Sequence, residues 1–134
     1  MAKAQVANSN QRESSAGKTV AKRSALMDRI RLLRTDNQMS QEELARLLGA
    51  SWPSVSRWER GLARPTEDSV VRMERLLEVE KRIKPALRAG AFKRFLFAPH
   101  PMLDNFPPAD LLQSGYSFQR LLGFVENALG GDVS

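Results

Sequence analysis

Cysteine is absent from this 134-residue sequence, and histidine occurs once, as His100. Disulfides, thiolate metal sites and His-rich zinc sites are thereby excluded, and a reducing compartment is compatible with the composition. No stretch is apolar enough to span a bilayer or lie deep in one. The start Met1-Ala2-Lys3-Ala4-Gln5 lacks the apolar core of about 7 to 15 residues that a secretory signal needs, so a cytoplasmic location is expected. Strand patterns are missing too, and so are internal repeats. A chain of this length can hold one domain of about 60 residues with a smaller annex and tails, but not two full-sized cores.

Positive charge, by contrast, is in excess. The net charge of +6 points to an anionic partner, with nucleic acid ahead of membrane. Residues 1–24 carry five basic residues against one acidic, residues 25–84 twelve against ten, and residues 85–134 four against four. The last third therefore has no electrostatic reason to touch nucleic acid. In residues 1–23 only Val6 and Val20 are large and apolar, too little burial to offset the entropy of ordering. This segment is expected to be a disordered basic tail.

From Leu26 the pattern changes. Leu26, Ile30 and Leu33 recur at helical spacing among polar residues, predicting an amphipathic helix that ends near Asp36-Asn37. Ser40-Gln41-Glu42-Glu43 is a capping box that opens a second helix, with Leu44, Ala45, Leu47 and Leu48 facing inward and Gly49 ending it. Ser51 caps a third helix whose first turn tolerates Pro53; Val55 and Trp58 pin it to the core and Gly61 stops it. Thr66 caps a fourth, with Val70, Met73, Leu76 or Leu77, Val79 and Ile83 inward, and Pro85 breaks it. A fifth helical segment follows in one of two ways, as the end of that stripe or within residues 86–97. Beyond it, Pro-rich breakers precede two short helices separated by Gly115, with Asp104 and Asp110 suited to turn and cap positions. The expected fold is all-α: a helix-turn-helix domain over residues 24–84 and a small helical annex over residues 85–134.

The stretch from Ser40 to Gly61, ending Ser56-Arg57-Trp58-Glu59-Arg60-Gly61, resembles the Cro/phage-repressor (Xre) helix-turn-helix family, and the resemblance covers about residues 26–80. It implies a five-helix, lambda-repressor-like domain with the third helix in the major groove of double-stranded DNA. Ser51, Trp52, Pro53, Ser54, Ser56 and Arg57 would then face DNA, Arg57 with two parallel bonds to guanine O6 and N7. The resemblance also implies that Gln41 binds phosphate at a helix N-terminus, that Arg60 and Arg64 bind phosphate, and that Arg34 and Glu59 form an ion pair joining helices one and three. Trp52 and Pro53 stand where polar residues are common, which leaves the base preference open.

The segment Phe95-Leu96-Phe97-Ala98-Pro99-His100-Pro101-Met102-Leu103, with Pro108-Ala109-Asp110-Leu111-Leu112 and a glycine after it, resembles the toxin-binding region of Xre/MbcA/ParS-type antitoxins. Phe95 replaces the usual tryptophan and His100 the usual asparagine. The resemblance implies partner-binding roles for Phe95, Phe97, Met102, Leu103, Phe106, Tyr116 and Phe118. Aromatics crowd a segment too small to bury them alone, which agrees with an interaction role; packing against the long fourth helix is the competing account. His100 between prolines, with no nucleophile or metal-ligand pattern, reads as a turn residue, so neither an enzyme nor a cofactor or metal site is expected.

The leading expectation is a homodimeric antitoxin repressor that binds its own promoter and blocks a cognate toxin through its C-terminal helices. Cutting the chain after Lys84 is then expected to leave DNA contacts in place and abolish toxin binding. Two alternatives stand beside it: a stand-alone dimeric repressor without a toxin partner, and a neutralising module with little sequence-specific DNA binding.

Overall fold

The computed structural model describes residues 22–130, so residues 1–21 of the expected tail lie outside the described residues. Lys22 and Arg23, assigned above to the tail, are helical: the first helix, α1, runs over residues 22–36. Its buried stripe is Met27, Ile30 and Leu33, with Leu26 only partly buried. Helix α2 (Gln41–Leu48) begins at the capping box, where the Glu43 N–H donates to Ser40 Oγ (3.0 Å) and the Ser40 N–H donates to Glu43 Oε1 (2.9 Å). Two orphan donors of the first turn are thus satisfied by one pair of residues.

Gly49 ends α2 at φ 64°, in the left-handed region that favours glycine. The buried Ser69 hydroxyl donates to the orphan Leu48 carbonyl at 3.1 Å. Helix α3 (Trp52–Glu59) starts at Ser51, whose hydroxyl accepts from the Ser54 N–H, and Pro53 sits in its first turn. Helix α4 (Glu67–Ile83) is capped by Thr66 and gives way to a 3-10 turn at Lys84–Ala86. Its buried face is Ser69, Met73, Leu76, Val79 and Ile83; Val70 is only partly buried.

The fifth helix, α5 (Phe92–Phe97), lies beyond Pro85, within the second of the two ranges expected. Two 3-10 turns, Pro101–Leu103 and Pro108–Leu112, lead to α6 (Gly115–Gly130), so Gly115 opens the last helix and does not merely separate two. No strand occurs among the described residues; the one isolated bridge pairs His100 with Phe106.

The packing ignores the 84/85 boundary. One hydrophobic cluster runs from Met27 on α1 through Leu47, Leu48 and Leu76 to Leu96, Leu112, Leu121 and Val125. The Pro108–Leu112 turn is the hub, touching α2, α4, α5 and α6. A cut after Lys84 would strip Phe95, Leu96, Leu103, Leu112 and Leu121 from a shared core and leave its helix-turn-helix half facing water. The two regions told apart by charge and motif are built on one core.

Candidate nucleic-acid interface and partner surface

The outer face of α3 is held outward by what its inner face buries. Val55 and Trp58 sit in the core, and the residues between them must point away. Trp52 is 51% exposed and Arg57 is exposed, while Pro53, Ser54 and Ser56 are half-buried beside them. Ser51 is exposed, but its oxygen caps the helix and lies 3.0 Å from Ser54 Oγ, so these two hydroxyls chiefly fix the helix start. Arg60 leans back to donate through Nε to the Ser56 carbonyl (3.4 Å), leaving the rest of its guanidinium exposed. Arg64 is exposed in the turn before α4.

The Arg34–Glu59 pair expected from the resemblance is present, and it is bidentate. Arg34 Nε donates to Glu59 Oε2 at 2.7 Å and Nη2 to Oε1 at 2.8 Å, while Nη1 donates to the Met39 carbonyl at 3.1 Å. Charge-assisted fork geometry of this kind fixes direction as well as distance. The Glu59 side chain is only 6% exposed. Burial alone would raise its pKa, but hydrogen bonds from Arg34 and Gln41, with the charges of Arg34 and Arg31, hold the carboxyl below the ordinary 4.5.

Gln41 was expected only as a phosphate ligand. Its Nε2 donates to Glu59 Oε1 at 3.0 Å, so it belongs to the Arg34–Glu59 network and is held in place at the first residue of α2. Such a link, spanning eighteen residues, leaves no local trace in the sequence. It anchors the amide at the positive end of the α2 dipole.

The C-terminal aromatics divide into two groups. Phe95 and Leu103, expected to meet a partner, are 8% and 1% exposed and belong to the core. Phe95 stacks between Phe92 and Phe124, at 6.4 Å to each, and the His100 ring lies 5.5 Å from Phe95 and 5.2 Å from Phe124. Leu103 is turned inward by the Pro101–Leu103 turn. Phe97 and Phe118 are half-buried under cations from the other half of the chain, the Arg46 guanidinium 5.3 Å over Phe97 and that of Arg75 5.7 Å over Phe118.

Arg46 also pairs with Asp110 (3.2 Å), which is therefore a clamp and not a helix cap, and Arg75 donates to the Leu112 carbonyl (2.8 Å). Lys93 closes the same seam, 3.1 Å from Glu43 and donating to the Gln38 carbonyl (3.3 Å). Chiefly the Ser40 N–H, against the opposing effect of burial and with help from Lys93 and the Ser40 hydroxyl, holds Glu43 below the ordinary 4.5. Sequence reasoning missed Arg46, Arg75 and Lys93, because an exposed cation on a helix carries no sign of what will fold over it.

What remains exposed is Met102 (71%), Phe106 (51%) and Tyr116 (86%). Asp104, between the first two, pairs with Arg120 at 2.7 Å, and Tyr116 stands one turn before Arg120 on the same face of α6. Met102 and Phe106 thus neighbour one member of this ion pair along the chain, and Tyr116 the other. Among the described residues no cluster of His, Asp and Glu could hold a metal ion, and no helix is long and apolar enough to cross a membrane.

Comparison with known proteins agrees with this geometry. A family model described as helix-turn-helix matches residues 30–83. The proteins named Mycobacterial cidal antitoxin MbcA from Mycobacterium bovis and from Mycobacterium tuberculosis are each 28% identical over 88 residues, which is 66% of this chain and 77% of theirs. A chain in the crystal structure of the M. tuberculosis MbcT–MbcA toxin–antitoxin complex shares the fold, with a TM-score of 0.65 at 24% identity over 81% of this chain and 94% of that one. The matched family and the two relatives are helix-turn-helix and antitoxin proteins, not enzymes. Residues 30–83 match an Xre-type helix-turn-helix domain, and the chain that carries them is homologous to the MbcA antitoxins.

Proposed function

We propose that this protein is an antitoxin-type transcriptional repressor: a cytoplasmic homodimer that binds an inverted repeat in its own promoter through α3 and neutralises a cognate toxin protein through its C-terminal surface. It acts by binding and not by catalysis. The observation that carries the reading is the outer face of α3, where Trp52 and Arg57 are exposed on the helix whose Glu59 anchors Gln41. Two-fold symmetry of the protein would set two half-sites about one helical turn apart. Relatedness to antitoxins, together with the exposed Met102, Phe106 and Tyr116, supports the toxin-binding part.

In this reading Arg57 reads a base, while Gln41, Arg60 and Arg64 grip phosphates; Ser51 and Ser54 fix the helix start, and Trp52, Pro53 and Ser56 contact sugars or thymine methyls. The test is fluorescence anisotropy with duplexes from the region upstream of the coding sequence. Arg57→Ala is expected to weaken operator binding by about 1–3 kcal/mol and to relax selectivity at one base pair. Arg60→Ala and Arg64→Ala should weaken all sequences alike and lower the salt slope by about one each. Unchanged binding in all three variants would refute the docking.

A further inference from the structure

A groove of about 320 Å³ separates the first turns of α1 from the turn that follows α3. Arg23 and Arg31 line it from α1 and Arg64 from the turn, with Met27 and Trp58 contributing apolar wall. Two carboxylates also border it, Asp28 and Glu59, but Glu59 is already held by Arg34 and Gln41. None of the three arginines has an ion-pair or side-chain hydrogen-bond partner among the described residues. Three cations against one uncommitted carboxylate leave the groove positive, and its apolar wall strengthens the attraction an anion would feel there.

The groove's position matters as much as its charge. Its wall includes Trp58 and Glu59, the residues that follow Arg57 on α3, and Glu59 is bonded to Gln41 at the start of α2. A duplex that takes α3 into its major groove runs a phosphate strand past the ends of that helix. Residues 1–21, which lead into α1, add three basic residues against one acidic.

We propose that Arg23 and Arg31, converging with Arg64 on this groove, hold backbone phosphates of the operator, so that α1 binds DNA together with α2 and α3. The proposal rests on the DNA-binding reading above. It adds two phosphate ligands on a helix to which that reading assigns only the structural Arg34.

The test is the salt dependence of binding by the full chain, for wild type, Arg23→Ala, Arg31→Ala, Arg31→Lys and Arg57→Ala, on operator and on scrambled duplexes. Arg23→Ala and Arg31→Ala are expected to weaken both duplexes alike and to lower the salt slope by about one each. The deficit against wild type then shrinks about fourfold between 50 and 200 mM salt. Arg31→Lys keeps the slope. A parallel arm follows thermal stability in inorganic pyrophosphate at constant ionic strength.

Wild-type slope in Arg23→Ala and Arg31→Ala, with Arg57→Ala still defective, overturns the proposal and leaves the DNA-binding reading intact. Arg31-dependent stabilisation by pyrophosphate with unaltered DNA slopes also overturns it, and reassigns the groove to a free phosphorylated effector. Absence of DNA binding by the wild type overturns the reading on which the proposal rests.

Discussion

Replacing Leu112 by alanine removes a side chain that is fully buried at the hub between α2, α4, α5 and α6. Four elements converge there, so the site cannot collapse onto the void without moving several of them at once. The expected loss is about 3 kcal/mol, within the range of buried leucine truncations. For a domain of this size that corresponds to a fall of roughly 10–15 °C in Tm. The informative part is where the loss is seen. Both tryptophans, Trp52 and Trp58, lie on α3, so fluorescence excited selectively at tryptophan reports on the helix-turn-helix half alone. With a single core, urea unfolding followed by fluorescence and by far-UV circular dichroism should shift to the same lower midpoint with an unchanged m-value. A fluorescence midpoint that stays put while circular dichroism splits into two transitions would refute the single core.

Glu59→Gln should cost about 1–3 kcal/mol at pH 7, because it leaves Arg34 without its counter-charge, and a urea titration measures it. The Glu43 and Glu59 carboxyls are held below 4.5, so the stability they supply is complete above that pH and is lost as pH falls through their lowered values; the variant should show a shallower acid decline. Gly49→Ala is expected to cost about 1–2 kcal/mol, since alanine is strained at φ 64° and its Cβ would meet the Arg72 guanidinium. Combining it with Arg72→Ala should recover the steric part and not the backbone part, which a double-mutant cycle separates.

The local devices of this fold are legible in the sequence, since each is written within four or five residues. The Ser40–Glu43 capping box, the left-handed Gly49, the Ser51 and Thr66 caps and the break at Pro85 all follow from side-chain chemistry acting on the neighbouring backbone. Long-range partnership is not legible in that way. An aromatic-rich annex looked like a binding surface, yet Phe95 and Leu103 are consumed by the core and Phe97 and Phe118 lie under Arg46 and Arg75. The neutral net charge of residues 85–134 gave no sign of the cations of α2 and α4 that hold the annex down. The Arg34–Glu59 pair was reached only through family resemblance. Its third member, Gln41, was visible as a position but not as a partner.

These findings change how the division of labour must be tested, because the two functions are assigned to two faces of one core and a truncation would damage both. The direct measurement is co-purification of the neighbouring gene's product with the tagged full-length chain, alongside operator binding, for wild type, Arg57→Ala and the surface variant Met102→Ser/Phe106→Ser/Tyr116→Ser. The account predicts a double dissociation: Arg57→Ala loses operator selectivity and keeps its protein partner, while the surface variant keeps the operator and loses the partner. Partner capture by the surface variant at wild-type level, or no capture by the wild type, would contradict it.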